Sequence, residues 1–236
     1  MNLRNKTDKT STCNIQYSIF NIQSQAGFTL IEIGIAIFIL AIGLISMLTL
    51  FPIGVDSMKK VTQYSNAAVL TESAISYLKA NDVVAFVGTN TGSNTYPDTD
   101  PNQDNPFEDS SGNTIFAQYS WQAVVKKVST DKSLVRAQIA IFRNFNYSQF
   151  GPGTADFTNG SDTAYYTGSL PTGFTSKHYI RATNDNSDKF WYRVDSIDTS
   201  ATTITLEGPF LGTGGTWSFS TTDDIIDIYE TMFSKR

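Results

Sequence analysis

Only 17% of the 236 residues are charged, the formal net charge is −5, and the chain is rich in Thr, Ser, Asn and Gly. That composition suits a β-rich domain outside the cytoplasm and fits a cytosolic helical enzyme poorly. Residues 1–27 carry Arg4, Lys6 and Lys9 against Asp8, which leaves a remainder of −7 with no basic stretch and argues against nucleic acid as a partner. Cys13 is the only cysteine. If residues 1–27 are removed no thiol is left, so a disulfide framework is excluded and an ordinary hydrophobic core must hold the domain.

In chain order, the first predicted element is apolar. No charged residue occurs from Ile33 to Val55, and Glu32 is the one charge within residues 28–55. At ~1.5 Å of helical rise per residue, the uncharged run spans about 35 Å, against roughly 30 Å of bilayer hydrocarbon. A buried core helix rarely needs so long an uncharged run. A secretory signal peptide would have a shorter one followed by a small-x-small cleavage site, and none follows here. Arg4, Lys6 and Lys9 favour an inside N-terminus, but Lys59 and Lys60 beyond the run weaken that vote, so the charge rule is indecisive.

The hexapeptide GFTLIE, from Gly27 to Glu32, stands at the head of the run behind a polar leader. In this context it resembles the cleavage and methylation site of type IV prepilins and pseudopilins. The resemblance is specific over residues 27–60 and architectural beyond them. It implies that a prepilin peptidase cuts between Gly27 and Phe28, removing residues 1–27, and methylates the new Phe28 amine. Gln25 and Ala26 stand where leaders of that family commonly carry a basic residue.

Glu32 is costly at the edge of an apolar run. It reads either as a side chain that snorkels to the headgroups or as a functional group, and position alone leaves the two even. The resemblance favours the second: in a filament, the Phe28 amine of one subunit would face the Glu32 carboxylate of its neighbour. Two unit charges about 4 Å apart at an effective dielectric near 20 attract by ~4 kcal/mol before desolvation. Either one left unpaired in an apolar bundle is heavily penalised, so the pair would set axial register.

Pro52 and Gly54 follow, and proline removes the amide that would bond to the Leu48 carbonyl, so a kink is expected there. The helix is expected to continue to about Ala80 as an amphipathic second half, residues 56–82. Val61, Tyr64, Ala68, Thr71, Ile75 and Leu78 recur at spacings of three and four along one face. Lys79 complements the helix dipole, and Asn81 and Asp82 can end the helix. Residues 83–236 then read as a globular antiparallel domain. Segments 119–128 and 134–142 alternate as a hairpin, with Tyr119, Trp121, Ala123 and Val125 on one face and Val135, Ala137, Ile139 and Ile141 on the other strand's matching face. Segments 190–197, 202–207 and 224–230 add three strands. One sheet with an apolar face would cover the helix, giving an α+β, ladle-shaped fold. Residues 88–114 and 145–188 are long and rich in turn residues. They are expected as surface insertions, with KHYIRA as an extra strand within the second.

Few segments carry chemistry. Asp98, Asp100, Asn102 and Asp104 lie at two-residue intervals with Asp109 twelfth, an echo of a calcium loop. Gln103 replaces the turn glycine and Asp109 the long bidentate Glu, so a solvated loop is the favoured reading. His178 is the only histidine, which excludes a His-based zinc site, and it is expected at the surface or in a strand. GTGG at 212–215 lacks the following Lys and helix of a phosphate cradle and reads as a turn. No G-x-S-x-G or H-E-x-x-H occurs, and the aromatic strand residues read as core. No catalytic residue or cofactor is implied.

The expected function is therefore that of a structural subunit of a type IV pilus or a type II secretion pseudopilus, with a weak lean toward a minor subunit. Its partners would be the prepilin peptidase, other pilin or pseudopilin subunits, the inner-membrane assembly platform and membrane lipid. The resemblance implies a single pass through a bacterial inner membrane, N-terminus in the cytoplasm and globular domain outside. The alternative is a membrane-anchored or filament-tip adhesin that uses the 145–188 insertion.

Overall fold

The computed structural model describes residues 27–89, 92–97, 100, 103–109, 111–128, 134–144, 148–185 and 187–234. The chain divides between Val55 and Asp56 into two compact units. A single helix, α1 (Leu30–Ala80), begins in the first and ends in the second.

In the first unit α1 is apolar on every side beyond Glu32, and its side chains are exposed except for the half-buried Val55. The few hydroxyls are satisfied within the helix. Ser46 Oγ donates to the Ile42 carbonyl (2.8 Å) and Thr49 Oγ1 to that of Ser46 (2.9 Å), so neither presents a bare donor. Helix persists through Pro52 and Gly54.

In the second unit the end of α1 buries Ala67, Leu70, Thr71, Ala74 and Leu78. The buried stripe is rotated from the expected one. Thr71 and Leu78 belong to both, but Val61, Tyr64 and Ala68 are exposed and Ile75 lies at the margin. Small side chains explain the rotation: Ala67 and Ala74 let the helix approach its sheet closely, so the larger residues beside them fall outside the contact. Thr71 hides its hydroxyl by donating to the Ala67 carbonyl at 2.8 Å. After Asp82, which has φ 45°, a short helix α2 (Val83–Thr89) starts, with the Asp82 carboxylate accepting from Ala85 N at 3.2 Å.

Among the described residues eleven strands follow: β1 (Ser93–Tyr96), β2 (Asn105–Pro106), β3 (Ser120–Lys127), β4 (Leu134–Phe142), β5 (Phe150–Phe157), β6 (Thr163–Thr167), β7 (Tyr179–Ala182), β8 (Tyr192–Asp198), β9 (Thr203–Leu206), β10 (Gly215–Thr222) and β11 (Ile225–Ser234). They build two antiparallel structures. An open sheet has the order β1-β3-β4-β11, with β2 also on β3, and a closed barrel has the order β10-β5-β6-β9-β8-β7. The fold is α+β, as expected, but the single sheet is corrected to two. β8 and β9 belong to the barrel, and residues 145–188 supply β5, β6 and β7 rather than a surface insertion, with the last four residues of KHYIRA forming β7 and His178 just before it. Likewise 88–114 contains β1 and β2.

The open sheet uses both faces. Trp121, Ala123 and Val125 of β3 and Val135, Ala137, Ile139 and Ile141 of β4 pack with Leu70, Ala74, Leu78, Val83 and Val87 from the helices. These are the faces that alternation in the sequence assigns to the core. The opposite face carries Ala140 and Phe142, which meet Tyr179, Trp191 and Ile225. The barrel encloses its own core, including Phe157, Tyr166, Ile180, Val194, Ile204 and Phe219. Gly153 makes room for it: a Cβ there would stand 2.2 Å from the ring of Phe219.

A buried polar layer joins sheet and barrel. Gln138 Oε1 accepts from Trp191 N (2.7 Å) while its Nε2 donates to Trp191 O (3.0 Å). Gln122 Oε1 accepts from Arg181 Nη1 (2.9 Å) and Trp191 Nε1 (3.3 Å), and the Arg181 guanidinium lies 4.2 Å from the Trp191 ring centroid. Gln138→Leu would remove both of these hydrogen bonds to the Trp191 backbone, at roughly 1–3 kcal/mol each. The expected result is a denaturation midpoint well below wild type for the detergent-solubilised chain, measured by tryptophan fluorescence.

Candidate functional site

Gly27 and Phe28 lie just outside α1, in neither helix nor strand, and Phe28 is 83% exposed. Helix begins immediately after them because Thr29 and Glu32 close a capping box. Glu32 Oε2 accepts from Thr29 N (2.8 Å) and Thr29 Oγ1 (2.9 Å), and Glu32 N donates back to Thr29 Oγ1 at 3.3 Å. Two of the amides that α1 leaves without helical partners are thereby satisfied.

The sequence carried this signal: Thr29-x-x-Glu32 is the Ser/Thr-x-x-Glu pattern that starts helices, and the reading of Glu32 above missed it. The carboxylate therefore has a local role before any neighbour is considered. That role engages Oε2. Among the described residues Oε1 accepts no hydrogen bond, so half of the group's acceptor capacity is left.

The other predicted site residues separate. Asp98 and Asn102 lie outside the described residues. Asp104 is buried and Asp100 partly so. Asp109 spends its carboxylate on a local turn, accepting from Ser111 N (2.8 Å), Asn113 N (2.9 Å) and the Asn113 side chain, and bonds from Asn113 and its neighbours hold its pKa below the usual carboxylate value. Among the described residues no three of His, Cys, Asp and Glu gather to hold a metal. The 212–215 turn packs on Asp185, whose carboxylate accepts from Thr213 N at 3.0 Å. Trp121 and Trp191 are buried.

His178 corrects the surface expectation. It is 8% exposed, stacks on Phe150 at 5.3 Å and meets the edge of Phe174 at 5.8 Å. Among the described residues its buried Nδ1 has no hydrogen-bond partner. Desolvation lowers its pKa, and nearby Arg143 adds to the effect against the pull of Asp223. A base whose folded pKa is depressed binds fewer protons folded than unfolded, so stability is full above the unfolded value near 6.5 and is lost as pH falls below it. Stability of the solubilised chain is expected to fall from pH 7 toward pH 5, and His178→Phe is expected to flatten that part of a midpoint-against-pH curve.

No family model, curated protein or solved structure matches this chain. Its own geometry therefore carries the functional reading. α1 is long and apolar enough to cross a membrane. The exposed Gly27–Phe28 junction stands at the head of that helix, and the helix's far end packs under a sheet.

Proposed function

We propose that the chain is a pilin-like structural subunit, anchored by α1 and polymerised by helix packing into a type IV pilus or a type II secretion pseudopilus. The observation that carries this reading is the GFTLIE hexapeptide at the start of an uncharged helix, with its Gly27–Phe28 bond exposed. Cleavage there by a prepilin peptidase would free an amine four residues from Glu32. That amine and the Glu32 carboxylate of an adjacent subunit would pair within the bundle, which favours one axial register over its neighbours. A helix whose second half is covered by an antiparallel sheet supports a ladle-like subunit, with the barrel as an addition to it. The protein would sit singly spanning a bacterial inner membrane, with its folded domain outside the cytoplasm, until the assembly platform extracts it.

The barrel favours a second reading within the same assembly. A closed six-stranded module with its own core can present a ligand surface, as a filament-tip adhesin would. Shearing separates the two. A core subunit appears along the filament in amounts comparable with other subunits, a tip adhesin appears in traces, and a protein wholly retained in membranes contradicts both.

A further inference from the structure

An open cleft of about 500 Å³ lies beside the second half of α1, and Lys60, Arg143, Lys177 and Arg193 line it against one carboxylate, Asp223. This is an unusual concentration of positive charge in a chain of net charge −5. Two of the four cations are engaged: Arg143 with Asp223 (3.2 Å) and Asp224 (3.1 Å), and Arg193 with Glu207 (3.1 Å). Lys60 and Lys177 have no ion-pair partner among the described residues. Lys177 also has φ 86°, a left-handed conformation that glycine or asparagine adopts more readily. A long cation is thus kept where the backbone disfavours a β-carbon. His178 lines the same cleft, so the arginine-held floor continues into a packed aromatic cluster.

Chain connectivity limits what the cleft can meet. Lys60 follows Val55, the end of the uncharged run, by five residues of continuous helix, about 7.5 Å of rise. The headgroup layer extends roughly 5–8 Å beyond the hydrocarbon on each side. With the end of the uncharged run at the hydrocarbon boundary, Lys60 stands within the headgroup layer, and Lys177 lines the same cleft. Tyr64, exposed one turn on and lining the cleft too, is of the residue type that settles at that interface.

We propose that this cleft binds the headgroup of an anionic phospholipid, with Lys60 and Lys177 answering the net negative charge that a zwitterionic headgroup lacks and Arg143 and Arg193 fixing the walls. The proposal rests on α1 lying in a bilayer and is independent of filament assembly. A bound lipid would hold the folded domain at the membrane, and extraction of the subunit would have to release it.

The test uses the full chain in nanodiscs at one copy per disc, with hydrogen exchange of the 174–179 amides as the readout. The discs contain phosphatidylcholine alone, phosphatidylcholine with phosphatidylglycerol, or phosphatidylcholine with inorganic phosphate in the buffer. Each lysine near an anionic surface contributes about fivefold to association, so exchange is expected to slow about fivefold or more with phosphatidylglycerol only. The Lys60→Gln, Lys177→Gln double variant, exposed at both sites, is expected to remove that slowing. Equal exchange in all discs overturns the proposal, as does slowing that survives in the double variant. Slowing by inorganic phosphate overturns the lipid assignment in favour of a small-anion site. Slowing that appears only with several copies per disc overturns it in favour of an acidic segment of a neighbouring protein. Failure of the chain to enter phosphatidylcholine discs would instead contradict the membrane reading of α1.

Discussion

Leu78→Asp is expected to abolish the folded state of the sheet-and-helix layer while leaving membrane insertion intact. Leu78 is fully buried in the core shared by α1, α2 and the open sheet. Removing a buried leucine side chain to alanine costs about 2–5 kcal/mol, and an unpaired carboxylate in the same place adds a desolvation penalty. The total approaches the whole stability of an ordinary domain, about 5–15 kcal/mol. The measurement is the near-ultraviolet circular dichroism of the solubilised chain, which reports the packing of Trp121 and Trp191, together with a carbonate-extraction assay for insertion. Val61→Asp is the informative partner. Val61 lies on the stripe that spacing alone selects, yet it is 68% exposed, so this substitution is expected to shift stability by no more than about 0.5 kcal/mol. If Val61→Asp unfolds the domain as Leu78→Asp does, the rotated face is wrong.

Glu32→Ala and Glu32→Gln are expected to insert normally and to fail at incorporation. Alanine makes the span more apolar, so insertion persists or improves. Glutamine keeps the size and some hydrogen bonding but loses the charge that the Phe28 amine of a neighbour would face. Leaving that amine unpaired in an apolar bundle corresponds to at least a tenfold loss of incorporation if about 1.4 kcal/mol of the pairing survives desolvation. The readout is the ratio of this protein in sheared filaments to that in membranes. The capping box supplies the control. Thr29→Val removes the hydroxyl that donates to Glu32 and weakens the first turn by ~1 kcal/mol, but it retains the carboxylate. If Glu32 acts through pairing, Thr29→Val incorporates close to wild type. If Thr29→Val fails as badly as Glu32→Ala, the carboxylate serves only to start the helix. Partial incorporation of Glu32→Gln assigns part of the role to hydrogen bonding.

The parts of this fold that were legible in the sequence are those where one physical signal stood alone. Absence of charge from Ile33 to Val55 marks the apolar half of α1, and strict alternation in 119–128 and 134–142 marks the β3–β4 hairpin with the correct faces. The barrel was not legible because β5 carries breakers and because strand partners are not a local signal. β5 contains Gly151, Pro152 and Gly153, which read as a loop, yet Gly153 is required by the ring of Phe219 from β10, distant in sequence. β8 and β9 were recognised as strands, but nothing local says which sheet a strand joins. That choice is made by partners such as β6, hidden in turn-rich sequence, and β7, which KHYIRA marks as a strand without saying what it pairs with. The α1 stripe shows a related limit. Periodicity favours the large residues, whereas close packing selected Ala67 and Ala74, whose small size carries no signal until the sheet is in place. At the N-terminus the chemistry was legible in six residues, but Glu32 had two local readings and the capping box made a third.

Intact mass of the protein extracted from membranes of cells that contain a prepilin peptidase decides whether the chain is processed at Gly27. The expected species begins at Phe28 and carries one added methyl group on its amine, with Cys13 absent. A chain that begins at Met1 in the presence of active peptidase, or one cut on the far side of the apolar run, would contradict that processing.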